Sequence, residues 1–393
     1  MKRLLVLAAL AATTTGLFAL NPGQLEFEHN GWFRYTNTST SFGVTDPSVS
    51  RFALERGYLR TGYRWTEDLY TKFTIDIFSS DKYPDGATVR LKEAYIDFAL
   101  PVKDFLFTAG LQKHYFGLVH SWNYTHPDKS LGDAQGIAAS SEYGLVVSGK
   151  LPNKLGELQL GLYNGEGYQY VGKYVNTVPE LLANLRLTPL PWVMVGGSVM
   201  YHGEDMSRYR NDSRGRTADG MRYMMADTVN AGVLGFAPVF EFKQGPVTLL
   251  GEAILHSFSR EFSYYDIDRD TAGSVTDSAL VENSRKYARS GFDVMPLVTV
   301  LDRKLDVFAR FTTWEQREEA GDGSMAVNLD RSLVRYGVGM NWHFYRRSGG
   351  RRPGAALQLA WVREQTRKEG SEPKDVLMAQ FRFEWATVIA PGS

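Results

Sequence analysis

The stretch FAPVFEFKQGPVTLLGEAILHSF, Phe236 to Phe258, decides the fold. Two apolar-rich segments flank a polar break, Lys243-Gln244-Gly245-Pro246. Before the break, Phe236, Pro238, Phe240 and Phe242 share one parity, and Ala237, Val239, Glu241 and Lys243 the other. After it, Val247, Leu249, Gly251, Ala253 and Leu255 alternate with a set containing Thr248, Glu252 and His256. Period two marks strands, and a glycine-proline break between two of them marks a hairpin with one greasy face. Leu250 and Ile254 violate the pattern, because they fall among the polar residues. Pro238 removes a ladder donor, so a bulge is expected there.

The same pattern recurs about sixteen times between Leu25 and Trp385. Each run is near the ten residues that a tilted strand needs to cross a bilayer. The hairpin of the opening stretch reads as Val229–Lys243 and Pro246–Arg260, followed by Arg285–Thr299; the last strand reads as Pro373–Trp385. Connections alternate in length. Short ones such as Thr66-Glu67-Asp68, Pro152-Asn153-Lys154 and Gln244-Gly245 separate long polar ones such as HGEDMSRYRNDSRGRTADGMRYMMAD and SREFSYYDIDRDTAGSVTDSALVEN. A soluble sandwich has no reason to alternate this way. An outer-membrane barrel does, with short periplasmic turns and long outer loops. Backbone polar groups cannot face hydrocarbon unpaired, so such a sheet closes on itself around a lumen. The expected fold is therefore all-β, one transmembrane antiparallel barrel of about sixteen strands.

Composition agrees. Lys plus Arg equals Asp plus Glu at 44 each, so charge gives no sign of a nucleic-acid partner, and none is expected. Cysteine is absent, which removes disulfides and thiolate metal sites. Lys2 and Arg3 precede the apolar run Leu4 to Ala12, the order of an export leader. Residues 1–20 are read as that leader, cut near Ala19 or Leu20, and 21–393 as the barrel. No later apolar run is long enough for a spanning helix.

One parity of the strands is charged. Arg56, Arg60 and Arg64 occupy every second inward position of one strand. Lys72, Asp76, Glu93, Asp97, Arg186, Glu252, Arg310, Arg335 and Arg382 join them as expected lumen residues. Such an arginine strip attracts anions, or pairs with wall carboxylates and stiffens the barrel. His114, His120 and His126 share a six-residue spacing that fits no standard zinc site. DIDRDTAG lacks the glycine and glutamate of a calcium loop. No metal or cofactor is expected. His256 adjoins Ser257, but strand neighbours point to opposite faces, so they make no nucleophile–base pair.

Ordered motifs then carry a resemblance. RGYLRTGYRW, LKEAYIDFALP and LFTAGLQKHYFGL are followed by YGLVVSGKL, LQLGLYNGEG, LANLRLTPLP, QGPVTLLGEAIL, LDVFARFTTWE and VRYGVGMNWHF. In this order they resemble the phosphate-selective porin O and P family across nearly all of the mature chain. The resemblance implies a sixteen-stranded, usually trimeric porin with its third loop folded into the lumen. Here that loop is His114 to Ser141, with Lys113, His114, His120, His126 and Lys129 as constriction candidates. Phosphate selectivity there rests on arginine ladders and a lysine cluster. This chain has the arginines, no lysine cluster, and acids that balance them. The expected function is passive diffusion of small hydrophilic solutes with weak anion preference, in outer-membrane lipid and lipopolysaccharide, without enzymatic activity. A non-transporting adhesin or scaffold barrel, with a lumen plugged by loops, and a barrel hydrolase are the alternatives.

Overall fold

A computed structural model describes residues 20–40, 49–79, 86–118, 126–165, 167–168, 178–204, 223–269, 275–301, 304–320, 323–346 and 353–389. The leader reading falls on residues 1–19, outside the described residues. The strands are β1 (Leu25–Thr40), β2 (Val49–Arg64), β3 (Leu69–Ser79), β4 (Ala87–Ala99), β5 (Phe105–Lys113) and β6 (Ser141–Leu151). They continue as β7 (Gly156–Tyr163), β8 (Val178–Leu190), β9 (Val193–Glu204), β10 (Tyr223–Gln244), β11 (Val247–Arg269) and β12 (Val275–Val300). The last are β13 (Leu305–Glu319), β14 (Met325–Val327), β15 (Leu333–Arg346), β16 (Pro353–Thr366) and β17 (Lys374–Ile389). A single helical turn, α1 (Leu131–Ala134), lies between β5 and β6.

All seventeen strands form one sheet, and β14 is a three-residue strip paired to β13 alone. The other sixteen are the staves of a barrel. Each pairs antiparallel with its neighbours, and β1 pairs with both β2 and β17, so no edge is left open. Closure is what lets a sheet sit in hydrocarbon. Tight turns join the staves at one end, as at Gly245-Pro246, where Gly245 takes a φ of 59° that a side chain would resist.

Alternation sorts the two faces. On β13, Val307, Ala309 and Phe311 are exposed, while Phe308, Arg310 and Thr312 are buried inside. The same split holds for Phe73 against Thr74 and Asp76 on β3, and for Phe381 against Gln380 and Arg382 on β17. Exposed Trp65, Trp192, Trp342 and Trp385 gather near the short-turn end, an interfacial girdle of the kind found on membrane barrels.

Three readings need correction or completion. The bulge expected at Pro238 is absent. Pro238 lies opposite Gly197, and the β10–β11 pairing keeps one register from Phe236–Leu255 to Val239–Glu252. A missing N–H drops a ladder bond without requiring an extra residue. Register shifts fall elsewhere, among them at Trp32/Phe33 between β1 and β2 and at Thr74/Ile75 between β3 and β4. The run SREFSYYDIDRDTAGSVTDSALVEN is largely not a loop. β11 and β12 extend through it to 23 and 26 residues. Finally, the tail after Trp385 belongs to β17, which runs to Ile389 opposite Leu25.

Candidate pore constriction

The loop after β5 turns into the barrel. Its ends meet where His114 N–H donates to the Ser140 carbonyl at 3.4 Å. Phe116, Leu131 and Ile137 then bury themselves against Leu182, Met200 and Ile254 of the inner wall. Leu118 does the same against Met194, Leu250 and Phe308. This explains the two misfits of the opening hairpin. Leu250 and Ile254 face inward because the loop, not water, covers them. Burial of such side chains is worth roughly 1.5–3 kcal/mol each and holds the loop to the β6–β13 wall.

Polar contacts fix its position. Glu252 of β11 spans both arms of the loop. Its Oε2 accepts from Leu118 N–H at 2.7 Å and its Oε1 from Leu131 N–H at 3.2 Å. The approach is so close that a Cβ on Gly117, whose φ is 61°, would stand 2.4 Å from Glu252 Oε2. Arg186 of β8 donates to the Gly117 carbonyl at 2.8 Å. His114 pairs with Glu180 of β8. Glu252→Leu should therefore orphan two buried N–H donors, at about 1–3 kcal/mol each. Faster proteolytic cleavage between 118 and 131 in the folded variant is the expected result, and an unchanged rate would refute it.

The far end of the loop reaches the opposite staves. Asp128 accepts from Arg310 Nη1 of β13 at 3.0 Å and from Arg335 Nη1 of β15 at 3.1 Å. Arg310 also grips Asp293 of β12 twofold, at 3.1 and 2.6 Å, and Thr312 donates to the same carboxylate at 2.9 Å. Arg335 also binds Glu364, and Arg34 of β1 donates to the Pro127 carbonyl. Burial raises the Asp128 carboxyl, but Arg310 and Arg335 outweigh it and hold it at about 2.

His126 sits beneath this clamp, its ring centroid 4.8 Å from that of Phe308 and its Nδ1 accepting from Asp128 N–H at 2.9 Å. Burial, and then Arg310, push it down to about 3, against the opposing charge of Asp128. A released loop would return it to the ordinary range near 6.5. The released state therefore binds the proton more readily. The seat is at full strength above about pH 6.5 and weakens as pH falls toward 3. A spin label at Lys129 should gain mobility between about pH 6.5 and 4 in wild type and stay unchanged over that window in His126→Phe.

The remaining wall, β16–β17 and β1–β5, carries the arginine strip. Arg56, Arg60 and Arg64 do share the inner face, each with a wall acceptor. Arg56 Nη1 is 2.8 Å from Asp76 Oδ2, Arg60 pairs with Glu28, and Arg64 donates to the Glu67 carbonyl. Lys72 lies 3.7 Å from Glu93, Thr108 donates to Asp97, and Arg382 lies 3.2 Å from Glu384. Aromatic rings interleave, with Arg60 4.5 Å above Tyr58 and Arg382 5.9 Å from the Trp32 centroid.

Of the loop candidates, Lys113 stands at its foot, where its charge acts on Glu93. Lys129 is a surface group 3.4 Å from Asp133. His120 lies outside the described residues. The sequence reading missed Asp128, Arg34, Asp293 and Lys92. Lys92 is the extra residue of the β3–β4 register shift, which turns both Lys92 and Glu93 inward. No parity rule predicts that. His256 is buried inside and Ser257 faces out, so the pair meets no common substrate. Among the described residues no group of three or more His, Asp or Glu side chains is arranged to hold a metal ion.

No family model matches the chain, and no curated protein matches it. Solved structures do. The trimer form of OmpT, an outer-membrane protein of Vibrio cholerae, superposes with a TM-score of 0.52 at 10% identity, over 92% of this chain and 99% of that one. The outer-membrane channel DcaP of Acinetobacter baumannii gives 0.54 at 14%, over 93% and 100%. An anion-selective porin from Comamonas acidovorans gives 0.57 at 10%, over 92% and 99%. At these identities the likeness is one of fold, the outer-membrane β-barrel.

Proposed function

We propose that this chain is an outer-membrane porin, a passive channel for small hydrophilic solutes with a weak anion preference and no catalytic role. The observation that carries the reading is the in-folded β5–β6 loop. It is anchored at one end by Glu252 and at the other by Arg310 and Arg335, inside a barrel with a charged inner face. The whole-chain fold likeness to a channel and to an anion-selective porin supports it, as does the ordered motif resemblance to the phosphate-selective porins. Assembly as a homotrimer, and export by a leader at residues 1–20, belong to the same proposal; a similar fold occurs in trimer form in OmpT. Purified protein in planar bilayers should give stepwise single-channel currents.

One observation favours a second reading. Lumen-side Thr74, Asp76 and Arg310 are almost wholly buried, the mark of a filled barrel such as an adhesin or scaffold. Bilayers that stay silent with correctly folded protein would establish that reading instead.

Selectivity follows from pairing. Arg56 and Arg60 each pair with a wall carboxylate and Arg64 donates to the Glu67 carbonyl in the turn, so the field of the strip is partly cancelled. The result is weak anion preference and no tight phosphate site. Replacing Arg56, Arg60 and Arg64 together with glutamine leaves Glu28 and Asp76 uncompensated. The reversal potential in a KCl gradient should then swing from weakly anionic to cationic. The swing should shrink as salt rises, because screening acts within about 10 Å at 0.1 M. An unchanged potential would make these residues braces only.

A further inference from the structure

Lys92, which the β3–β4 register shift turns inward, is a buried ammonium with neutral neighbours. Its Nζ donates to Ser140 Oγ, where the constriction loop returns to the wall, and lies 4.0 Å from the centroid of the Tyr168 ring. Among the described residues no carboxylate makes an ion pair with it. A buried charge held only by neutral groups is costly, and an anion would complete it. Two positions along β4, the half-buried guanidinium of Arg90 likewise makes no ion pair or hydrogen bond among the described residues. It lies 4.8 Å from the centroid of the Phe78 ring. Arg56 of β2 lies 5.8 Å from the same centroid, and in the β1–β2 register it stands opposite Trp32.

Charge and shape both narrow the choice of ligand. Asp76 takes Arg56 Nη1 at 2.8 Å. The charge of Asp133, in the loop, also reaches Arg56, but Lys129 stands 3.4 Å from that carboxylate. Three wall cations thus meet two acids, one of which has a lysine of its own. Rings stand among these cations. Tyr168 N–H donates to the Ser141 carbonyl at 3.2 Å, which fixes that residue beside β6. Phe78 and Tyr168 are both half-buried, so each ring keeps part of its surface open. A fully hydrated inorganic anion gains little from such rings. A flat anion with one charged end and one apolar face gains from both. Its ring can stack on Phe, Tyr or a guanidinium plane, and its carboxylate can accept charge-assisted hydrogen bonds.

We infer that Arg56, Arg90 and Lys92, with Phe78 and Tyr168, form a lumen subsite for small aromatic carboxylates. The inference deepens the channel reading proposed above and rests on it, because the subsite faces the lumen. Lys92 and Arg90 take the carboxylate, and Phe78 and Tyr168 take the ring. Asp76 keeps Arg56 in place and limits the affinity, so that a solute held there also leaves.

The test is saturation-transfer NMR on the full-length protein in detergent, with benzoate, acetate and inorganic phosphate as probes. Benzoate binding to wild type should saturate, and acetate or phosphate should displace it only at about tenfold higher concentration. The double variant Arg90→Gln, Lys92→Gln should need about tenfold more benzoate for half-saturation. Phe78→Leu should erase the advantage of benzoate over acetate. If the double variant fails to fold, Arg90→Gln alone serves, with a smaller shift expected. Benzoate that binds no better than acetate overturns the proposal, as does equal binding by wild type and the charge variants. Binding in detergent needs no current. Silent bilayers with saturable benzoate binding would therefore count against the channel alone, and conducting protein without that binding against the subsite alone.

Discussion

Arg310→Gln should lower the stability of the folded barrel by about 3–5 kcal/mol, the cost of leaving a buried charge without its partner. Arg310 and Asp293 have no exposed side-chain surface, and their pairing is bidentate. Glutamine cannot neutralise Asp293, and it also removes one of the two cations on Asp128. Two effects should therefore appear together. The urea midpoint of the reconstituted protein should fall, and the loop tip should loosen, seen as longer-lived high-conductance excursions. The double variant Arg310→Gln, Asp293→Asn should recover much of the stability but not the quiet current, because Asp128 still lacks its second clamp. If the single variant unfolds at the wild-type urea concentration, the pair does not brace the barrel.

Deletion of residues 122–132 should raise single-channel conductance roughly twofold or more, because current is limited at the narrowest point. The deleted segment holds Asp128 and Leu131, and with them the attachments to β11, β13 and β15. The remaining arm keeps Phe116 and Leu118 on the apolar wall, which protects part of it from water. Heat-modifiable gel mobility would confirm that the variant folds. A folded deletion with wild-type conductance would place the constriction elsewhere.

Much of this architecture was legible in the sequence, because strand periodicity is a local property. The two faces of Phe236–Phe258, the turn at Gly245 and the inward arginines of β2 all follow from parity. What escaped depends on residues far apart in the chain. Leu250 and Ile254 looked misplaced until Leu118 and Phe116 were seen to cover them. Asp128 was not singled out, because nothing near it in the chain announces partners at Arg310 and Arg335. Lys92 was not singled out, because a one-residue register shift inverts parity, and such a shift leaves no mark in composition. Parity aims the arginines of β2 at one face, but their pairing with Asp76 and Glu28 needed the fold. The extended hairpin of β11 and β12 was hidden by polar residues, which suit a strand once both faces lie beyond the bilayer.

The seam between β1 and β17 sets an order of assembly. Leu25 pairs with Ile389 and Thr40 with Lys374, so the first and last staves are neighbours along sixteen residues. Every other stave can zip onto the one synthesised just before it, a closure over tens of residues. This one must wait for the final segment of the chain and then join ends separated by almost its whole length, a slow, high-contact-order step. Until it happens, two bare edges face each other with unpaired amides, a state that hydrocarbon does not tolerate and that invites pairing with a second nascent chain. Closing that seam before either edge meets hydrocarbon or a second chain is thus a demand of the topology itself.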